Sequence, residues 1–351
     1  MNKLNFTSLH YEPLIKSFVQ RTTARSINLG SNEVLVKIKA SLLTGKDYFG
    51  VNKVKKISLD PVTLGYNEPN FGKTFVGEVI ETPGSFGNCK KFKAGDIVCG
   101  HVRQGSWANF MICKSDILTR CDANLPTPLQ LDFLPALTAY CLVKTQNLIK
   151  GSDSVVVTDP YSTIGLYINH FSTHFGLKVI NILPKMPASY QDDSIMSLYK
   201  EISDNISFIS NQELMNDQEM LKQNEEIANL CFMYSNFNYL SYQCLKDFPY
   251  IKLMKEHSLI LSYNRFNDRK IARQVAQNDK HIKFRNLTLS KLCQTSQSFV
   301  DECAVEVTKY FKERIDDRIP FSEHPMSSIN SIFETKCYSN IKKRLILDVD
   351  L

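Results

Sequence analysis

The stretch GSDSVVVTDPYSTIGLYINHFSTHFGLKVINILP, residues 151–184, decides the fold. Its apolar run Val155-Val156-Val157 is short and β-branched, which suits a strand buried on both faces of a parallel sheet. A turn through Asp159 and Pro160 follows. STIGLYINHFSTHFG (162–176) then reads as a helix with Gly176 as its C′ cap, and LKVINILP (177–184) as the next strand. Strand, helix, strand in this order is a βαβ unit, whose two strands lie parallel with a right-handed crossover.

The same grammar continues downstream. ISFIS (206–210), ANLCFMYS (228–235), HSLILSYN (257–264) and KHIKFRNLTLS (280–290) are further strand candidates. DDSIMSLYKEI (192–202) and the polar NQELMNDQEMLKQNEE (211–226) read as helices between them. SFVDECAVEVTKYFKERID (298–316) is a strongly amphipathic helix, and YSNIKKRLILDVD (338–350) returns to strand. Upstream the period changes to two in NEVLVKIKAS (32–41), TFVGEVIET (74–82), AGDIVCGHV (94–102) and GSWANFMIC (105–113). This first third is all-β, with a barrel as the expected arrangement. TPLQLDFLPALTAYCLVKTQNL (127–148) is helical, with Thr127 or Asp132 as its cap. The expected fold class is therefore α/β, a β-barrel domain joined to a doubly wound parallel sheet.

The chain has 351 residues, 43% of them hydrophobic and 22% charged, with a net charge of +6. Length and composition suit two globular domains. Basic residues are scattered apart from Lys53–Lys56 and Lys342–Arg344, and a single tryptophan offers no basic–aromatic repeat, so no nucleic-acid partner is predicted. No apolar run reaches transmembrane length. Residues 1–31 carry Lys3, Lys16, Arg21 and Arg25 against the single acid Glu12. That bias is faintly like a mitochondrial presequence; a first strand and hairpin is the preferred reading. The ten cysteines form no CxxC, and no histidine stands at ligand spacing to any of them, so no metal site is expected. Most read as small core hydrophobes in a reducing compartment.

One compositional feature bears on function. All 14 glycines lie at or before Gly176. Average usage would place roughly 12 in residues 177–351. Glycine is what lets backbone approach a phosphate or a cofactor ring closely.

The order of barrel, parallel α/β and closing strand resembles the medium-chain dehydrogenase/reductase superfamily, in particular its zinc-free mitochondrial 2-enoyl thioester reductases. The resemblance is carried by FVGEVIETPGSF (75–86), FKAGDIVCG (92–100), GSWANFMICKSDIL (105–118), LPALTAY (134–140), GSDSVVVTD (151–159), FGLKVINIL (175–183) and FISNQEL (208–214). It implies a GroES-like barrel over residues 1–125 and 305–351, a Rossmann-type domain over 126–304, NADPH as cofactor, 2-enoyl thioesters as substrates, and a dimer contact through 281–293.

Each functional element that the resemblance implies is altered in this sequence. In the phosphate turn, 158–165, only Gly165 remains of the glycines, and it is the one that serves helix–strand packing. Thr163 stands where the backbone would approach the pyrophosphate, Pro160 removes an N–H, and Asp159 adds negative charge. Were binding retained, Ser162, Thr163, Gly165 and Lys185 would carry it, with the helix N-terminus behind them. The 2′-phosphate arginine corresponds to Pro184, with Lys185 the nearest base. The glycine pairs that floor the nicotinamide correspond to Met233, Tyr234, Tyr263 and Arg265. The catalytic tyrosine eight residues after Asp47 corresponds to Lys55; Tyr48 and Tyr66 are nearby alternatives. Were the chain active, Tyr48 and Lys55 would be the catalytic candidates. The glutamate of the family's GxE turn corresponds to Thr74.

Three readings follow. The preferred one is a reductase-like protein that has lost catalysis, binds no cofactor, and serves as a structural or accessory subunit of a larger assembly, with a mitochondrial respiratory complex or ribosome as examples. The second is an active NADPH-dependent reductase of 2-enoyl thioesters or quinones. The third is a non-catalytic ligand-binding protein. A mitochondrial location is expected from the resemblance, with the cytoplasm as the alternative.

Overall fold

The computed structural model describes residues 3–12, 15–43, 47, 71–83, 91–102, 105–148, 151–160, 162–183, 203–210, 227–233, 250–263, 273, 275–277, 280–314, 321–334 and 344–349. Elements in the first part of the chain are β1 (Lys3–Glu12), β2 (Ser17–Ser26), β3 (Glu33–Leu43), β4 (Thr74–Glu81), β5 (Ile97–His101), β6 (Phe110–Lys114), β7 (Leu118–Arg120) and α1 (Thr127–Lys144). Then come β8 (Ser154–Val157), α2 (Thr163–His174), β9 (Lys178–Leu183), β10 (Ile206–Ser210), β11 (Ala228–Met233), α3 (Tyr250–Leu253), β12 (Met254–Ser262) and β13 (Lys283–Asn286). The chain closes with α4 (Leu289–Thr295), α5 (Gln297–Glu313), β14 (Phe321–Pro325), α6 (Ile329–Glu334) and β15 (Arg344–Asp348). Two compact units result, residues 1–134 with 308–351, and residues 135–307; the divisions fall inside α1 and α5.

In the first unit β3 is the hub. One edge pairs with β4 along most of its length; on the other, residues 33–37 pair with β6 and residues 40–43 with β15. The strand order is β14-β15-β3-β4-β5-β7, all antiparallel except β14 on β15. The N-terminal segment is a hairpin, β1 on β2. Leu9 N–H donates to the Trp107 carbonyl at 3.0 Å, and Asn109 N–H to the Thr7 carbonyl at 3.0 Å, seating the hairpin on the approach to β6. Asn330 fixes its other strand, accepting from Phe18 N–H at 2.7 Å and donating to the Phe18 carbonyl at 3.0 Å. Beneath lies an aromatic core of Tyr11, Phe18, Phe71 and Trp107, with Phe71 stacked on the indole and Phe18 edge-on to it.

The second unit holds a six-stranded parallel sheet in the order β10-β9-β8-β11-β12-β13. Counted within the unit this is 3-2-1-4-5-6, the Rossmann order, with its topological switch between β8 and β11. Val155, Val156 and Val157 are fully buried. Alternation sends Val156, Cys231, Met233 and Ile260 into one apolar layer with Val275 and Ile282. Residues 165–172 of α2 are all buried, so this helix is enclosed on every side rather than half solvated.

Some sequence expectations need correction. Neither Thr127 nor Asp132 caps α1: Thr127 is already helical, the Gln130 N–H bonds to the Pro126 carbonyl at 3.0 Å, which puts Pro126 at the cap position, and Asp132 lies buried within the helix. The last parallel strand is shorter than 280–290, because Thr288 accepts from Lys291 N–H and starts α4. β14 was not expected from the sequence. The helix candidates at 192–202 and 211–226 lie outside the described residues.

Candidate functional site

In a parallel sheet of this order, ligands bind beyond the C-terminal strand ends at the switch point, here where β8 turns into α2. The Thr158 N–H extends the pairing of β8 with β11 by bonding to the Phe232 carbonyl at 3.1 Å. The chain then folds back on itself. Ser162 N–H donates to the Asp159 carbonyl at 3.3 Å, and Ser162 Oγ donates to the same oxygen at 3.0 Å. Ser162 is the N-cap of α2, its hydroxyl accepting from Gly165 N–H at 3.0 Å. A Cβ on Gly165 would overlap the Asp159 carbonyl oxygen, so only glycine lets the helix approach the turn this closely.

This geometry does not fit a dinucleotide pyrophosphate. A phosphate cradle presents several free N–H groups on an open backbone. Here the Gly165 N–H is taken by Ser162, and the buried Pro160 has none. The remaining first-turn donors belong to Thr163 and Ile164, and Thr163 brings a β-branched side chain. Asp159 puts a carboxylate into the same turn. Helix N-terminus and hydroxyls still favour an anion weakly, yet the turn is knotted onto its own serine.

A buried amide pair that sequence reasoning missed holds the turn from behind. Asn169 on α2 and Asn181 on β9 are both fully buried and exchange reciprocal bonds, Asn169 Nδ2 to Asn181 Oδ1 at 3.0 Å and Asn181 Nδ2 to Asn169 Oδ1 at 2.8 Å. Asn169 Nδ2 also donates to the Gly165 carbonyl at 2.9 Å. A lone Asn inside the apolar strand VINIL was the available signal.

The strand ends behave differently from one another. Met233 packs in the apolar layer with Cys231 and Ile260, so its side chain does not stand in a ring's place; the alternation along β11 directs it into the core. Tyr263 is buried just beyond β12, with its N–H bonded to the Met233 carbonyl at 3.3 Å. Tyr234, Arg265, Pro184 and Lys185 lie outside the described residues.

In the first unit Asp47 is buried and accepts from Gly72 N–H at 3.2 Å. Gly72 has φ +81°, and a Cβ there would collide with the Trp107 ring and Ser106 Oγ. Asp47 thus anchors a turn that only glycine fits. Beside it Ser41 Oγ donates to the Thr74 carbonyl at 2.9 Å and meets Ser106 Oγ at 2.7 Å, which leaves Ser106 as the donor of that pair. Thr74 Oγ1 bonds His101 Nδ1 at 3.0 Å. Tyr48, Lys55 and Tyr66 lie outside the described residues. Among the described residues no group of three potential metal ligands converges.

The shifted ionisations lie elsewhere. Burial pushes the Cys113 thiol and the Tyr140 hydroxyl up to about 12, and the Cys231 thiol up as well. None of these is a poised acid or base at the turn.

The chain thus has the fold of the medium-chain dehydrogenase/reductase enoyl reductases and quinone oxidoreductases. JamJ enoyl reductase in its apo form superposes with a TM-score of 0.68 at 14% identity, covering 99% of this chain and 100% of that one. The quinone oxidoreductase from Coxiella burnetii gives 0.67 at 18% identity, covering 99% and 100%. In sequence the chain is similar to segments of two curated Dictyostelium discoideum proteins. It is 43% identical to probable polyketide synthase 29 over 79 residues, 20% of the chain, and 29% identical to probable polyketide synthase 24 over 157 residues, 44% of the chain. The matches span 2% and 6% of those proteins' lengths. No protein-family profile matches.

Proposed function

We propose that this chain is an enoyl-reductase-type domain that has lost NADPH-dependent catalysis and is retained as a structural or accessory module of a larger assembly. The observation that carries the reading is the turn at 158–165, where Ser162 and the Asp159 carbonyl occupy the groups a pyrophosphate would use. Packing residues persist around it: Gly165, the three buried valines and the enclosed α2 serve the fold itself. Similarity to segments of polyketide synthases favours a multidomain synthase as the assembly. Contact with other subunits would run through residues 281–293, which include the edge strand β13. A respiratory complex, a ribosome and a mitochondrial location rest only on the family resemblance and the N-terminal charge bias.

An active NADPH-dependent reductase of 2-enoyl thioesters is the competing reading, favoured by the fold and by the first-turn N–H groups of Thr163 and Ile164. The two part on one assay. With crotonyl thioester and NADPH the proposed domain leaves absorbance at the nicotinamide band unchanged; steady NADPH oxidation by the pure protein would establish the competitor.

A further inference from the structure

The edge strand β13 carries its charges in a pattern that selects what can pair with it. Residues 280–300 contain Lys280, Lys283, Arg285 and Lys291 and no acid. Lys283 and Arg285 are exposed and stand two residues apart on one face of β13, and among the described residues neither makes an ion pair. On its inner side β13 runs parallel to β12, with Asn286 opposite Ser262 and the Leu287 N–H bonded to the Ser262 carbonyl at 2.8 Å. Backbone groups alternate in direction along a strand, so the N–H and carbonyl of Phe284 and the carbonyl of Asn286 face outward. Lys291 Nζ bonds the Asn286 carbonyl at 3.3 Å. Among the described residues no strand pairs with that outer side.

A second copy of the chain is a poor occupant. In an antiparallel two-fold pairing, outward-facing residues oppose one another, so Phe284 would meet residue 282, 284 or 286 of the other copy. Those registers set Lys283 against Lys283, Lys283 against Arg285, or Arg285 against Arg285. Like charges directly opposite destabilise a ladder, and these positions are the ones where facing side chains come closest.

We propose that the β13 edge receives an extended acidic segment of another protein, with carboxylates two residues apart set against Lys283 and Arg285. The proposal rests on the reading of the chain as a module of a larger assembly, and it names the chemistry of the partner at residues 281–293. Main-chain bonds to Phe284 hold the added strand, while the two cations choose its sequence. The same two cations keep copies of the chain from pairing with each other.

The test is fluorescence anisotropy of the full chain with short labelled peptides. One alternates Val and Glu, a second carries Lys in place of Glu, and a third is the Val-Glu peptide with its central valine replaced by proline, which keeps the charge but breaks the strand. The Val-Glu peptide is expected to bind about tenfold more tightly than either control. Its binding slows amide exchange at Phe284, and the double variant Lys283→Glu/Arg285→Glu prefers the Lys peptide instead. Equal binding of the Val-Glu and proline peptides would overturn the proposal, as would binding that leaves exchange at Phe284 unchanged or a dimer of the chain that itself protects that amide. Absence of binding would overturn it too, leaving β13 an edge merely guarded by charge. The wild-type measurements decide even if the double variant folds poorly. NADPH oxidation by the same preparation would remove the loss of catalysis and leave the peptide result standing.

Discussion

Gly165 is the residue on which the phosphate turn closes. Its missing side chain lets α2 press onto the Asp159 carbonyl, and its N–H satisfies the Ser162 cap. Gly165→Ala would force those groups apart, so a loss of about 1–3 kcal/mol is expected from urea unfolding of variant and wild type. The packing role of Gly165 was legible in the sequence because the resemblance marks which glycine of the turn supports the helix. The capture of its N–H by Ser162 was not, since Ser-x-x-Gly states a capping propensity and nothing about a competing ligand. Met233 shows the opposite failure. A bulky residue at a strand end looks like an obstruction, but strand alternation turns it into the core.

At the scale of elements, the Asn169–Asn181 pair ties α2 to β9 within an apolar interior. Buried amides without partners cost more than the bonds they make contribute, so either single substitution exposes the partner to that penalty. Asn169→Leu or Asn181→Leu should each cost about 1–3 kcal/mol, and the double variant should recover part of the sum in a double-mutant cycle. Additive losses would mean that the two amides do not act as a pair. The strands and helices themselves were mostly readable. Period-two alternation located β3–β6, and short apolar runs located β8–β12. The weak points were the ends of elements, as at β13, where Thr288 hands the chain to α4 after four strand residues. Alternation could not reveal the hub role of β3 either, because pairing one edge with both β6 and β15 depends on partners far apart in sequence.

Over the whole molecule, two carboxylates of the first unit have pKa values lowered by their ion pairs, Asp96 and Asp122. Asp122 is held below the ordinary carboxylate range by Lys312 at 2.6 Å. Burial pushes the Asp96 carboxyl up, but bonds from Lys93 N–H and from Arg120, at 2.7 Å, outweigh it and leave it lowered. A carboxylate depressed in the fold stabilises above its unfolded pKa of ~3.9, and that stabilisation is lost as pH falls through the folded value. The thermal midpoint should therefore be level on the neutral side and decline below about pH 4, with the Asp96→Asn/Asp122→Asn double variant declining less steeply there. Equal slopes would remove both pairs from the account.

Residues 177–351 hold no glycine, and in the turn upstream of them the Gly165 N–H is taken by Ser162. We propose that this turn no longer receives a dinucleotide. The most direct test is isothermal titration of the chain with NADPH up to about 1 mM, with a thermal-shift series alongside, since a ligand that binds the folded state raises the midpoint by mass action. The account predicts no saturable heat and no shift. Saturable binding accompanied by a concentration-dependent rise in the midpoint would contradict it.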